Sequence, residues 1–487
     1  MRNTLILFCL FLALGGTGAA VPNRQERPFG VFNDMELERK GVVTLKSAEE
    51  LGVERTRLVI HWALVEPRKG KWNFAIADRM IAMHREAGIE MLITLHSVSP
   101  WATRKAGNHL TFLASPPKDM ADYENFVRTM VARYKESVKY WQIENEVFDK
   151  RYGPSIFWDG SKEEYVNLLR HAHKVIHAAD PSAKVVQAGF AHELFVLQNE
   201  DYPFFIKADK GKVKEFFEYL IERGGPFCDA LDFHQYYEPE SVVKELALLK
   251  STMERFGCHK ELITTEAGDI DLRLFRVHMS RPEKPVPVVA GLLAIPSVKS
   301  ELSRIMKGGV SPSEYSNFGI FLKRDPNAGP MLEKYQAQGL VKRLVLSLAH
   351  GVSQFYAAWM KDQEKPMDWY FGMMSLIDTD GRKKPHYYAY RQMIRELKGF
   401  SSVKEINPPA GARAVCFSFA GREPLWVAWS TGRARTFDFS SVTKAGKLKA
   451  THIITRRGET DKDALVESIT SSSVPLDETP LILECER

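Results

Sequence analysis

Tyr140-Trp141-Gln142-Ile143-Glu144-Asn145-Glu146 opens with aromatic and branched residues and ends in amide and carboxylate groups. That is the pattern of a β-strand that delivers polar side chains at its C-terminal edge. An Asn-Glu pair at such an edge is how a barrel presents a proton donor. One carboxylate does not make a site, so a second is expected at the end of another strand.

Working outward, short apolar runs alternate with helical stripes along the chain. The strand candidates are 29–34, 57–62, 91–96, 140–146, 184–189, 230–236, 261–266 and 353–359. Between them, Tyr123, Phe126, Val127, Met130 and Tyr134 recur at helical spacing, and Ser161 with Glu164 forms a capping box. Eight strands alternating with helices imply parallel pairing, and the length favours a closed (β/α)8 barrel over an open sheet. No Gly-rich phosphate turn follows the first strand, as an open nucleotide-binding sheet would require. The stretch 270–330 is too long for an ordinary loop and reads as an insertion on the face that carries the strand ends. From about Phe400 the texture becomes antiparallel, as in Ala414 to Phe419 and Leu425 to Trp429. The domains read as a signal at 1–20, a barrel at 21–399, and a small β-sandwich-like domain at 400–487, serving as a buttress or a carbohydrate-binding module.

Composition sets outer limits. The 487 residues are 44% hydrophobic and 26% charged, with a net charge of +6, which is ordinary for a globular protein. The one short basic cluster, Arg382-Lys383-Lys384, gives little support to nucleic-acid binding. Arg2, the apolar run Thr4 to Leu14 and the small residues Gly15 to Ala20 read as a secretory signal cleaved near Ala20, with an uncleaved anchor as the alternative. Export to the periplasm or medium follows from cleavage, and no later segment is long and apolar enough to insert stably in a membrane. Cys9 lies in the signal. Of the other four cysteines, Cys228 with Cys258 and Cys416 with Cys485 are the expected disulfides, free buried thiols being the other reading.

In a barrel the C-terminal strand ends converge on one mouth. Here they supply Asn33, Arg57, His61, Trp62, His96, Asn145, Glu146, His234, Tyr236, Glu266 and Trp359. Two carboxyl groups facing across a cleft are the minimum needed to break a glycosidic bond. His61 and His96 read either as subsite contacts or as structural hydrogen bonders, and Trp101 as a sugar-stacking ring or as loop packing. His171, His173 and His177 have metal-like spacing but fall on an outer helix face. No metal site or cofactor is expected, and a metal-dependent barrel hydrolase is set aside because strand one carries no His-x-His.

These strand ends resemble clan A of the glycoside hydrolases, with family 39 nearest and families 5 and 42 behind it. The resemblance rests on Asn145-Glu146, Glu266, Arg57, His234-Gln235-Tyr236 and Trp359. Trp62 to Pro67 with Gly70 to Phe74, and Leu376 to Gly381 with Lys384 to Tyr388, add to it. It covers roughly residues 29 to 400 and implies a retaining β-glycosidase acting on an oligo- or polysaccharide. Glu146 would then be the general acid/base and Glu266 the nucleophile. Asn145, Arg57, His61, Trp62, His96, Trp101, His234, Tyr236 and Trp359 would contact or position substrate. A sugar-binding barrel without activity is the alternative. Glu144 departs from the family pattern. Strand alternation would point it to the same side as Glu146, as a buried partner or as a group that tunes the acid.

Overall fold

The structure is a computed structural model. It describes residues 28–33, 44–105, 114–149, 157–191, 193–198, 209–236, 238–268, 328–362, 374–406, 411–440, 443, 447–470 and 472–486. The expected signal at 1–20 and residues 270–327 of the insertion lie outside them.

Eight parallel strands close into a barrel in sequence order: β1 (Phe29–Phe32), β2 (Arg55–His61), β3 (Glu90–His96), β4 (Val138–Ile143), β5 (Lys184–Val186), β6 (Ala230–Asp232), β7 (Glu261–Ala267) and β8 (Val352–Ala357). β1 completes the ring by pairing Phe29 with Phe355. The barrel interior is layered. The floor beneath the site is a mostly apolar layer, built from Leu92, Val186, Ala230, Ile263 and Tyr356 with Tyr140 against them. Below it Tyr140 and Gln354 donate to Glu261, while Tyr356 donates to Gln354. Gly30 makes room for this floor, because a Cβ there would stand 2.6 Å from the Tyr356 ring. Above the floor the inward residues turn polar, and the functional cluster rests on that layer.

The helices form for the reasons the sequence suggests. In the helix Lys162–Ala179, Ser161 Oγ accepts from the Glu164 amide at 3.2 Å and Glu164 Oε2 accepts from the Ser161 amide at 2.8 Å. Its inner face carries Tyr165, whose hydroxyl donates to the Ile143 carbonyl at 3.1 Å and accepts from the Ala188 amide at 2.7 Å. The helix thereby fixes the ends of both β4 and β5. No helix among the described residues is long and apolar enough to cross a membrane.

Beyond the barrel, β9 (Phe400–Ile406), β10 (Ala412–Phe419), β11 (Leu425–Ser430), β12 (Arg435–Asp438), β13 (Leu448–His452), β14 (Val466–Ile469), β15 (Ser473–Leu476) and β16 (Leu481–Cys485) form two antiparallel sheets. In the larger one, Val415, Phe417, Val427, Trp429 and Ile482 join the barrel's own core, while Ala414, Cys416, Trp426 and Leu483 face Phe437, Val474 and Leu476. Period-two alternation thus gives the sheet two apolar faces. One of them is cemented to the barrel, which is a buttress. Trp429 Nε1 donates to Glu240 Oε1 at 3.1 Å, and Lys342 pairs with the same carboxylate at 3.2 Å.

The expected disulfides are not formed: Cys228, Cys258, Cys416 and Cys485 are all free thiols. β11 lies between the strands that carry Cys416 and Cys485, so their backbones stand about 9–10 Å apart, beyond the roughly 7 Å that a disulfide spans. Cys228 Sγ instead faces the Gly225 carbonyl at 3.6 Å.

Replacing the fully buried Trp429 by Ala should cost about 3–5 kcal/mol, read as a lower urea midpoint. An unchanged midpoint would contradict the buttress role.

Candidate active site

Strand β4 stops at Ile143, and the backbone then turns left-handed. Glu144 has φ 66° and Glu146 has φ 40°, a conformation that non-glycine residues adopt at a cost and that concentrates at functional sites. The expectation that Glu144 and Glu146 share a side therefore fails, because alternation holds only while the chain stays extended. Glu144 swings toward the end of β3. Its Oε1 accepts the Ser97 amide at 3.0 Å, and its Oε2 lies 3.4 Å from His96 Nε2. Burial pushes its carboxyl up to about 8 despite the bonds from Ser97, and burial likewise pushes His96 well below its ordinary value. At neutral pH the two form a contact between a neutral acid and a neutral imidazole.

Glu146 swings the other way, and its Oε1 meets His234 Nδ1 at 2.5 Å. Glu266, near the end of β7, accepts from Arg57 Nη1 on one oxygen and from the Tyr236 hydroxyl on the other. Burial first, then the charges of Glu266 and Glu146, raise the Tyr236 phenol well above its ordinary value, so it stays a donor. One carboxylate oxygen of Glu146 and one of Glu266 lie within 4.8 Å of each other. Glu146 is 11% exposed and Glu266 5%, so both carboxyls sit at the edge of solvent reach.

Arg57 is not at a strand end as expected. It is the third residue of β2, and its fully buried side chain reaches up through the polar layer. Its Nη2 donates to Asn145 Oδ1 at 2.6 Å, and its Nε donates to Thr94 Oγ1 at 3.0 Å. This fixes the Asn145 amide with its NH2 turned away from Arg57. Thr94 Oγ1 donates to Gln142 Oε1 at 2.7 Å, and Gln142 Nε2 donates to Asp232 Oδ2 at 2.6 Å. That same Asp232 oxygen stands 3.3 Å from His234 Nε2. The circuit runs Asn145, Arg57, Thr94, Gln142, Asp232, His234, Glu146. Burial opposes charge on His234, yet Glu266, Asp232 and Glu146 together lift its imidazole to about 10.

Several expected contact residues lie elsewhere. Trp62 is wholly buried, stacked on Phe126 with ring centres 5.0 Å apart, and its Nε1 donates to Glu66 Oε2 at 2.7 Å. Gly70 N reaches the other Glu66 oxygen at 2.8 Å, and Trp101 Nε1 reaches the Glu66 carbonyl at 2.8 Å. The Trp62–Glu66–Gly70 pattern is therefore a loop clasp. Trp101 packs edge-on against Trp62, which favours the loop-packing reading over sugar stacking. His96 faces Glu144 and is 2% exposed, which gives it an interior partner in keeping with the structural reading. His61 is half-buried and packs edge-on to His96 at 5.1 Å. Trp359 is half-buried beyond β8, edge-on to Phe32 at 6.0 Å, and follows a cis peptide bond from Ala358. Sequence reasoning gave no role to Thr94, Gln142, Asp232 or Thr265. Their polarity on strands that otherwise read as apolar was the available signal.

Glu146, His234 and Glu266 present three donor atoms close enough for one cation. Each carboxylate is already engaged, Glu146 with His234 and Glu266 with Arg57 and Tyr236, so a cation would have to displace those partners. The arrangement is better suited to proton transfer and to nucleophilic attack by a carboxylate.

Comparison with known proteins follows the same lines. Residues 50–195 match the model of Glycosyl hydrolase family 10, a stretch that contains Asn145-Glu146 and ends before β6. An endo-1,4-beta-xylanase A of Fusarium oxysporum f. sp. lycopersici is 25% identical over 36% of this chain and 52% of its own. A beta-glucosidase-like SFR2 of Oryza sativa subsp. japonica is 33% identical over 26% of this chain and 19% of its own. The chain thus spans about half, or less, of the length of these relatives. Among solved structures, a family 39 glycoside hydrolase from Bacteroides cellulosilyticus WH2 aligns over 95% of this chain and 82% of its own, with TM-score 0.61 and 15% identity. A monomeric beta-xylosidase from Caulobacter crescentus CB15 aligns over 95% and 97%, with TM-score 0.57 and 15% identity. Identities this low establish the fold alone. The likeness to clan A read from the strand ends is matched by both the family model and the fold.

Glu144→Gln offers a test that needs no substrate. A carboxyl lifted from 4.5 to about 8 on folding is protonated in the folded chain and ionised in the unfolded one between those values. Wild-type stability should therefore fall as pH rises through that window, by up to about 4 kcal/mol. The Tm advantage of the Gln variant should grow from pH 5 to pH 8. A pH-independent difference would contradict a buried neutral Glu144.

Proposed function

We propose that the protein is an exported, retaining β-glycosidase that hydrolyses O-glycosidic bonds of an oligo- or polysaccharide. The observation that carries this reading is the approach of Glu146 and Glu266 across the barrel mouth to within 4.8 Å. So close an approach of one oxygen from each carboxyl suits the retaining arrangement, in which one carboxylate attacks the carbon directly while the other serves the leaving oxygen. The two carboxyls also have different surroundings, as two different roles require. Export rests on the N-terminal segment.

In the first step Glu266 attacks the anomeric carbon and the leaving oxygen takes a proton from the Glu146 side. In the second, Glu146 removes a proton from water, which displaces Glu266 from the sugar. Arg57 and Tyr236 hold both Glu266 oxygens, so its orientation is set before substrate arrives. Asn145, with its carbonyl oxygen on Arg57, offers amide protons to the sugar 2-hydroxyl.

On a panel of aryl β-glycosides, Glu266→Ala should fall to background. Glu146→Ala should lose about 10²–10⁴-fold on poor leaving groups and little on activated ones. Azide should rescue the two variants to opposite products, α-glycosyl azide from Glu266→Ala and β-glycosyl azide from Glu146→Ala. Full activity in Glu266→Ala would refute the nucleophile assignment.

A further inference from the structure

Asp232 has no part in two-carboxylate chemistry, yet it is fully buried at the end of β6, two residues before His234. Its Oδ1 accepts from the Thr265 amide at 2.8 Å, and its Oδ2 accepts from Thr265 Oγ1 and Gln142 Nε2, both at 2.6 Å. With donors on every side, Asp232 is fixed as an acceptor-only anion. Burial opposes that charge, but His234 and then Arg57 hold the carboxyl below its ordinary range. The fourth neighbour is His234 Nε2 at 3.3 Å.

The contact is built closely. A Cβ on Gly189, three residues past β5, would stand 2.6 Å from His234 Cδ2 and 2.8 Å from Asp232 Oδ2, and closer still to His234 Nε2. Both side chains are buried and bonded, so neither can retreat, and only glycine allows the imidazole to lie against this backbone. The charged and titratable groups facing His234 are Glu146 beyond β4, Glu266 on β7, Asp232 and Tyr236 on its own segment, and Arg57 on β2. At this contact β5 brings only glycine backbone. The imidazole thus bridges the acid/base candidate and a buried carboxylate, at 2.5 Å from Glu146 and 3.3 Å from Asp232.

We propose that Asp232 is a positioning residue that acts through His234, so that the proton destined for the leaving oxygen is held by the Glu146–His234 pair and not by Glu146 alone. The proposal rests on the two-carboxylate reading. In the first step the pair gives one proton to the glycosidic oxygen. The C–O bond electrons leave with that oxygen, and a Glu266 lone pair forms the new bond to carbon. In the second step the pair regains one proton from water while the Glu266–carbon bond breaks, and the proton count closes over a turnover. Asp232 raises the pair's affinity for that proton without touching substrate.

Asp232→Asn keeps the shape and removes the charge. The alkaline limb of the kcat/KM profile should move to lower pH by about 1–3 units, as expected for losing an opposite charge a few ångströms away, while the acid limb holds its place. A purely structural role would lower activity equally at every pH and leave the limb where it was. The unmutated chain supplies a second readout by ¹⁵N NMR. One of the fourteen histidines should remain doubly protonated at pH 9, and no imidazole should do so in Asp232→Asn. Glycoside cleavage with an unmoved alkaline limb, or loss of every imidazolium in the wild type by pH 9, overturns the proposal and leaves the two-carboxylate reading intact. Persistence of the imidazolium with no glycoside cleaved overturns the two-carboxylate reading and this proposal with it.

Discussion

The Arg57 guanidinium is the interaction on which the site depends. A cation with no exposure is tolerated inside a barrel only when its donors meet anions or strong acceptors. Here they meet Glu266 from β7, Asn145 from beyond β4 and Thr94 from β3. Its Cζ also lies 4.6 Å from the centre of the Phe32 ring on β1. A single side chain thereby holds elements from one side of the barrel to the other. The two residues it grips most tightly are the candidate nucleophile and the amide beside the candidate acid. Removing it would leave a buried carboxylate short of its main partner, so this position cannot be varied without moving the chemistry.

The second constraint is the change in polarity up the barrel axis. The mostly apolar layer at Leu92, Val186, Ala230, Ile263 and Tyr356 lies directly beneath the site. Polar groups above it then have to satisfy one another, because an unpaired one would carry its full desolvation cost. The result is a circuit of side-chain hydrogen bonds in which changing one member alters the next. Glu144 belongs to a separate pocket, with Ser97 and His96 at the end of β3. The left-handed turn at Glu144 and Glu146 separates the two networks, sending one carboxyl into the wall and the other into the mouth.

Much of this was legible in the chain. The eight strands and the antiparallel region after Phe400 could be read because period-two and helical patterns record which face is buried, and the capping box at Ser161 is a local signal. Glu146 and Glu266 could be found because barrel closure brings every strand end to one mouth, whatever their separation in sequence. Trp62 could not be placed, since a tryptophan after a strand looks the same whether it floors a subsite or clasps Glu66. Glu144 was misdirected because alternation says nothing once the backbone leaves the extended region. The Asp232–His234 contact was hidden for another reason. It depends on the glycine at 189 and on Gln142, residues from other strands whose approach is set only when the barrel closes. The disulfide expectation failed similarly, since strand order, not sequence order, puts β11 between Cys416 and Cys485.

Double displacement at Glu266 inverts the anomeric carbon twice, so the first sugar released must carry the configuration of the bond that was cut. Time-resolved ¹H NMR of an aryl β-glycoside digest reads this before mutarotation blurs it. The β-anomer should appear first, with the α-anomer growing in only afterward. Initial release of the α-anomer would mean a single displacement by water, and Glu266 could not then be the nucleophile.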